Sequence, residues 1–79
     1  MKTVIYTTDA LNALRKHRNV SKAIMAKVAR YAETGAGNVT QLVGSTANRL
    51  RVNDFRVIFE ETADTITVTA IGPRGSIYE

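Results

Sequence analysis

In the second half of this chain, positive charge comes from arginine alone. Residues 34–79 contain four cations, Arg49, Arg51, Arg56 and Arg74, against five acids, while residues 1–33 hold seven lysines and arginines against two acids. Lysine is adequate for solubility, whereas arginine's planar fork suits phosphate and carboxylate groups. Three of the four arginines flank one turn signal, Asn53-Asp54. A tight hairpin closed there pairs residues whose numbers sum to 107, setting Val52 against Phe55, Leu50 against Val57 and Arg51 against Arg56. Arg49 lies two residues from Arg51 and so faces the same side of the sheet. Like charges directly opposite on adjacent strands are destabilising, and stability alone would sooner place Glu or Thr there. The convergence therefore reads as an anion site. The competing reading is a solvated face neutralised locally, with Glu60 sharing the parity of Arg56.

Two further residues follow the last strand. Gly72-Pro73 is expected to break that strand, after which Arg74 can reach the arginine face. Tyr78 supplies a ring that either stacks on a nucleobase or packs back on the sheet. The one histidine, His17, sits among Arg15, Lys16 and Arg18, and a surface position suits it better than a catalytic one. The absence of cysteine excludes disulfide scaffolds, zinc fingers and thiol nucleophiles together. With one histidine and scattered carboxylates, no metal site and no cofactor are expected.

The elements that position these residues must fit into 79 residues, which suits one domain over 1–79 and excludes large cofactor-binding folds. Hydrophobic content of 44% with 23% charge is that of an ordinary globular chain. A net charge of +4 points weakly to polyanionic partners. No apolar run is long enough for a membrane span and no signal peptide is visible, so a cytoplasmic location is the expectation.

Residues 2–7 (KTVIYT) read as a first strand. Thr8 or Asp9 can cap a short helix in which Leu11 and Leu14 share a face. Asn19 or Ser21 can cap a second helix that stops at Gly35, with Val20, Ile24, Val28 and Tyr31 or Ala32 as its core stripe. Lys22, Lys27 and Arg30 occupy its other faces, either as RNA contacts or as an ordinary solvated surface. Residues 35–45 read as a connector with an apolar spot at Leu42 and Val43; no strand feeds its glycines and no Gly-Lys-Ser/Thr follows, which argues against a phosphate loop. Strands follow at 48–52, 55–60 and 65–71, with Leu50, Val52, Phe55, Val57 and Phe59 on one face, matched by Ile66, Val68 and Ala70. The predicted fold class is α+β, in the order β-α-α-β-β-β: one strand, two helices, then a three-stranded antiparallel meander carrying both helices on one face.

Leu42-x-Gly44, then Arg49-Leu-Arg-Val-Asn-Asp-Phe-Arg-Val-Ile-Phe-Glu60, then Ile71-Gly-x-Arg-Gly-Ser-Ile-Tyr78 resembles the C-terminal half of RelE-type toxins, in the RelE/ParE superfamily of toxin–antitoxin modules. The resemblance implies a ribosome-dependent endoribonuclease that cuts mRNA in the decoding site and stops translation. It also implies a cognate antitoxin, encoded alongside. Arg49 and Arg51 match a pair of basic positions held by lysine in the family's namesake. Arg56 matches the hairpin arginine, Arg74 the basic residue after the last strand and Tyr78 the terminal aromatic. Pro73 stands where many relatives carry histidine, and the helix that follows the tyrosine in RelE has no match among these residues. Two alternatives remain on the same residues: a ParE-like inhibitor of DNA gyrase built on the same scaffold, and a non-toxic nucleic-acid-binding module.

Overall fold

The β-branched segment Thr3–Tyr6 forms strand β1, and Thr7 ends it by capping the first helix, its side chain accepting a hydrogen bond from the Ala10 amide at 3.3 Å. The cap is thus one residue before the Thr8 or Asp9 expected. Helix α1 (Thr8–Lys16) buries Ala10 and Leu14, while Leu11 stays 39% exposed, so the Leu11–Leu14 face is not the core face. Helix α2 (Arg18–Thr34) follows after His17 alone. It has no side-chain cap, and Ser21 Oγ donates back to the Arg18 carbonyl at 3.2 Å instead of capping a later start. Its end is the expected one: Gly35 takes the left-handed conformation (φ 76°) and its N–H reaches the Tyr31 carbonyl at 2.8 Å.

A computed structural model describes residues 1–73. Its sheet has five strands, β1, β2 (Val39–Gln41), β3 (Asn48–Val52), β4 (Phe55–Glu61) and β5 (Thr65–Pro73), in the order β1-β5-β4-β3-β2. β1 runs parallel to β5, and every other neighbour pair is antiparallel. The α+β order of strand, two helices and meander is therefore observed, with one added edge strand, β2, inside the stretch read as a connector. The last strand also runs through Gly72 to Pro73 instead of breaking there.

Both helices lie on one face. Ile24, Val28 and Ala32 of α2, with Ala10 and Leu14 of α1, meet Leu50, Val52, Val57, Phe59, Ile66, Val68 and Ile71 in one apolar cluster. Full burial of one such large side chain contributes about 1.5–3 kcal/mol. The β5 member at the far end of this core is Ile71, not Ala70. Phe59 pairs with Val68 but Ile58 pairs with Ala70, so Thr69 is an extra residue and a β-bulge. A one-residue slip exchanges the two faces, which turns Ile71 inward and Ala70 and Gly72 outward. Side-chain bonds tie the bulge down: Thr69 Oγ1 donates to the Ile58 carbonyl and the Thr69 carbonyl accepts from Thr7 Oγ1, both at 3.3 Å.

At the other end of the sheet Glu61 accepts from Lys2 Nζ and, at 2.7 Å, from the Tyr31 hydroxyl, clasping β1, β4 and α2 together. Those two donors hold the Glu61 carboxyl below its ordinary value. Burial, the hydrogen bond to Glu61 and that carboxylate's charge push the Tyr31 hydroxyl up to about 12. No helix among the described residues is long and apolar enough to cross a membrane.

Candidate nucleic-acid interface on the open sheet face

The face of the sheet without helices carries the arginines. The hairpin register is the one that the Asn53-Asp54 turn predicts: Arg51 pairs with Arg56, Leu50 with Val57 and Val52 with Phe55. Asn53 alone of the described non-glycine residues takes positive φ, at 54°. A two-residue turn makes Val52–Phe55 the hydrogen-bonded closing pair, and Arg51–Arg56 is then a non-hydrogen-bonded pair. Consistent with this, the Arg51 amide points away from β4 and donates to the Asn38 carbonyl at 3.0 Å. Non-hydrogen-bonded pairs bring side chains closest, with Cβ atoms about 4.5–5.5 Å apart. Two guanidinium stems therefore start side by side on a face that no helix among the described residues covers.

Arg49 extends this pair. It is flanked by Thr40 of β2 on one side and Ile58 of β4 on the other. Arg49, Arg51 and Arg56, with Asn38 and Thr40, line a polar hollow of about 80 Å³, the scale of a phosphate group. Arg51 is exposed, and Arg49 and Arg56 are half-buried. On its β5 side Arg56 is paired with Gly72, which presents no side chain. The Thr69 bulge is the reason. Without it, the parity of β5 would turn Ile71 toward this face and crowd the approach to Arg56.

Local neutralisation by Glu60 does not occur. Four residues of strand separate it from Arg56, a span of about 13 Å. Glu60 forms no ion pair among the described residues, whereas its neighbour Glu61, on the helix side, holds Lys2. His17 is also away from this face: it is half-buried at the α1–α2 junction, edge-on to Phe55 with ring centroids 4.9 Å apart, on the helix side of the sheet. Lys22, Lys27 and Arg30 are exposed on α2 and are not brought together with the hollow. Arg74 and Tyr78 lie outside the described residues.

Asn38 and Thr40 are the residues that sequence reasoning missed. The only signal was the β-branched pair Val39-Thr40 between polar residues, too short to read as a strand. Beside the hollow lies a second, larger groove of about 500 Å³, lined chiefly by Leu42, Val43, Ala47 and Ile58 together with Thr40 and Arg49.

This arrangement of strands and helices is the RelE toxin fold. The chain superimposes on the RelE–RelB complex of Pyrococcus horikoshii with a TM-score of 0.77 at 19% identity, covering 96% of this chain and 98% of that one. It matches the RelB–RelE antitoxin–toxin complex of Methanococcus jannaschii with a TM-score of 0.74 at 21% identity, covering 94% of each chain. Escherichia coli YafQ, in its H87Q mutant form, matches over the full length of both chains with a TM-score of 0.74 at 11% identity. No protein-family model matches the sequence, and no curated protein matches it.

Proposed function

We propose that this protein is the toxin of a toxin–antitoxin module and acts as a ribosome-dependent, metal-independent mRNA endoribonuclease that blocks translation. The observation that carries this reading is the Arg51–Arg56 pair with Arg49 beside it, lining a phosphate-sized hollow on the open face of a RelE-like sheet. In this reading the 2′-hydroxyl of one nucleotide attacks the adjacent phosphorus. The 2′-O–P bond forms, the P–O5′ bond breaks, a base takes the hydroxyl proton and an acid protonates the leaving 5′ oxygen. The products are a 2′,3′-cyclic phosphate and a 5′-hydroxyl. Guanidiniums are poor bases at neutral pH, so Arg49, Arg51 and Arg56 act by holding the phosphate and stabilising charge on the phosphorane oxygens. Arg74 steadies the leaving oxygen, and Tyr78 stacks on a base or relays a proton; these two roles rest on the family resemblance. Lys22, Lys27 and Arg30 are offered as ribosomal RNA contacts on the helix layer. A site rich in cations and poor in proton carriers suits an enzyme that depends on the ribosome to fix its substrate.

The solved RelE chains that this fold matches are bound to RelB antitoxins. By extension, an acidic or helical antitoxin segment covers the basic surface here and suppresses activity. The test is induction in bacteria with mapping of mRNA ends. Translation-dependent cuts ending in 2′,3′-cyclic phosphate, abolished by Arg56→Ala or Arg74→Ala, are expected. Growth arrest with intact mRNA overturns the reading, and inhibition of purified gyrase in a supercoiling assay would replace it with the ParE-like one.

A further inference from the structure

The larger groove is built differently from the arginine hollow. Its base is a firm turn: Ser45 N–H donates to the Leu42 carbonyl at 3.3 Å, with Gly44 third in the turn at φ 73°, and Leu42 N–H donates to the Ala47 carbonyl at 3.0 Å. Glycine in that place with positive φ is the type II pattern. The turn holds Val43 fully exposed beside half-buried Leu42 and Ala47, and buried Ile58, outside the helix-side core, lines the same groove. Thr40, Gln41 and Ser45 form a polar rim. An apolar groove with one fully exposed aliphatic side chain, Val43, at the border of a cationic hollow, calls for a ligand with one anionic and one flat apolar part.

The two cavities share Thr40 and Arg49. Along β3 and β4 the Arg49–Ile58 pair is two residues from the Arg51–Arg56 pair, about 6.6 Å at the strand rise. One nucleotide spans such a step, its phosphate at one pair and its base at the next. Bases are held between apolar side chains and on guanidinium planes, and Arg49 stands where it can serve both parts.

We propose that the groove of Leu42, Val43, Ala47 and Ile58 is a nucleobase subsite for the nucleotide whose phosphate lies among Arg49, Arg51 and Arg56. This rests on the phosphate-binding reading above and adds where the substrate's base is gripped.

The test is titration of the full chain with adenosine 5′-monophosphate, ribose 5-phosphate and inorganic phosphate, following affinity and methyl NMR signals. The mononucleotide is expected to bind about tenfold tighter than ribose 5-phosphate, consistent with base stacking, and to shift the Leu42, Val43, Ala47 and Ile58 methyls. Val43→Ser, at a fully exposed position where the fold does not depend on the side chain, should cut that advantage to about twofold or less. Ala47→Leu, which fills the groove, should do the same, with ribose 5-phosphate affinity unchanged in both variants. Equal affinity for the mononucleotide and ribose 5-phosphate overturns the subsite while leaving the phosphate site standing. N-acetyl-leucinamide shifting the same methyls as strongly, with or without phosphate, also overturns it, making the groove a peptide-docking shelf. Failure of all three anions to bind removes the phosphate site and the subsite with it.

Discussion

Replacing Arg51 by threonine should make the protein more stable and less able to bind its anion. The two guanidiniums of the Arg51–Arg56 pair extend from the closest type of cross-strand position, on an open face. Two unit charges about 6 Å apart, the order of the side-chain spacing of such a pair, repel by about 0.7 kcal/mol at the dielectric constant of water, and by about 2.8 kcal/mol at an effective value of 20. Arg51 is exposed, so the lower figure applies, reduced further by salt. Threonine also fits a strand and removes the charge without a cavity. The expected gain is about 0.5 kcal/mol, or roughly 2–4 °C in Tm for a domain of this size, larger at low ionic strength. Against this, loss of a charge-assisted hydrogen bond to phosphate costs about 1.5–3 kcal/mol, a roughly 10- to 150-fold loss in phosphate affinity or in mRNA cleavage. Thermal unfolding at two salt concentrations, beside the cleavage assay, reads both. A variant that loses stability and activity together would show that Arg51 supports the fold, and the argument from unfavourable pairing would fail.

The Lys2–Glu61–Tyr31 clasp predicts a pH dependence of stability. Because the Glu61 carboxyl is held below its ordinary value of 4.5, its contribution is fully present above that pH and is lost as pH falls through the lowered native value. On the alkaline side, the contribution of neutral Tyr31 is complete below 10 and is lost as pH rises toward about 12. Denaturant unfolding from pH 3 to about 12 checks both limbs, and Glu61→Gln should flatten the acid one. At the hairpin, Asn53→Val should cost about 1–2 kcal/mol in the same assay because a β-branched residue resists positive φ, whereas Asn53→Gly should be neutral or stabilising. His17→Gln should leave cleavage within about twofold of the parent and its pH profile unmoved, since the ring packs on Phe55 across the sheet from the arginines; a lost alkaline or acid limb would put His17 in the chemistry.

The parts of this fold that were legible in the sequence are those set by local geometry. Asn53-Asp54 leaves only a two-residue loop, and such a loop dictates the parity of both strands it joins. That is why Arg51 could be set opposite Arg56 and Arg49 placed beside them. Gly35 likewise marked the end of α2, because a left-handed position favours glycine at that point. The caps were less legible. Thr7, Thr8 and Asp9 are all competent N-caps, and the choice falls to Thr7, whose amide pairs with β5 while its side chain turns to α1. Asn19 and Ser21 advertised a start for α2 that the chain does not use; the helix begins at Arg18 directly after His17, with no side-chain cap.

What stayed hidden depends on partners distant in sequence. β2 is three residues long and exists because the edge of β3 offers it hydrogen bonds; its own residues carry no alternation long enough to detect. The bulge is hidden for a related reason. Residues 65–71 alternate so well that a straight strand with Ala70 inward satisfies the pattern, and only the larger Ile71 filling the core beside Val57 favours the slip. These two features complete the candidate site. β2 brings Asn38 and Thr40 to the arginines, and the bulge sets Gly72 in place of a bulky side chain beside Arg56. A regular sheet with the same arginines would have kept their like-charge repulsion and narrowed the space for an anion to relieve it. The irregularity at Thr69 therefore belongs to the proposed site as much as the guanidiniums do.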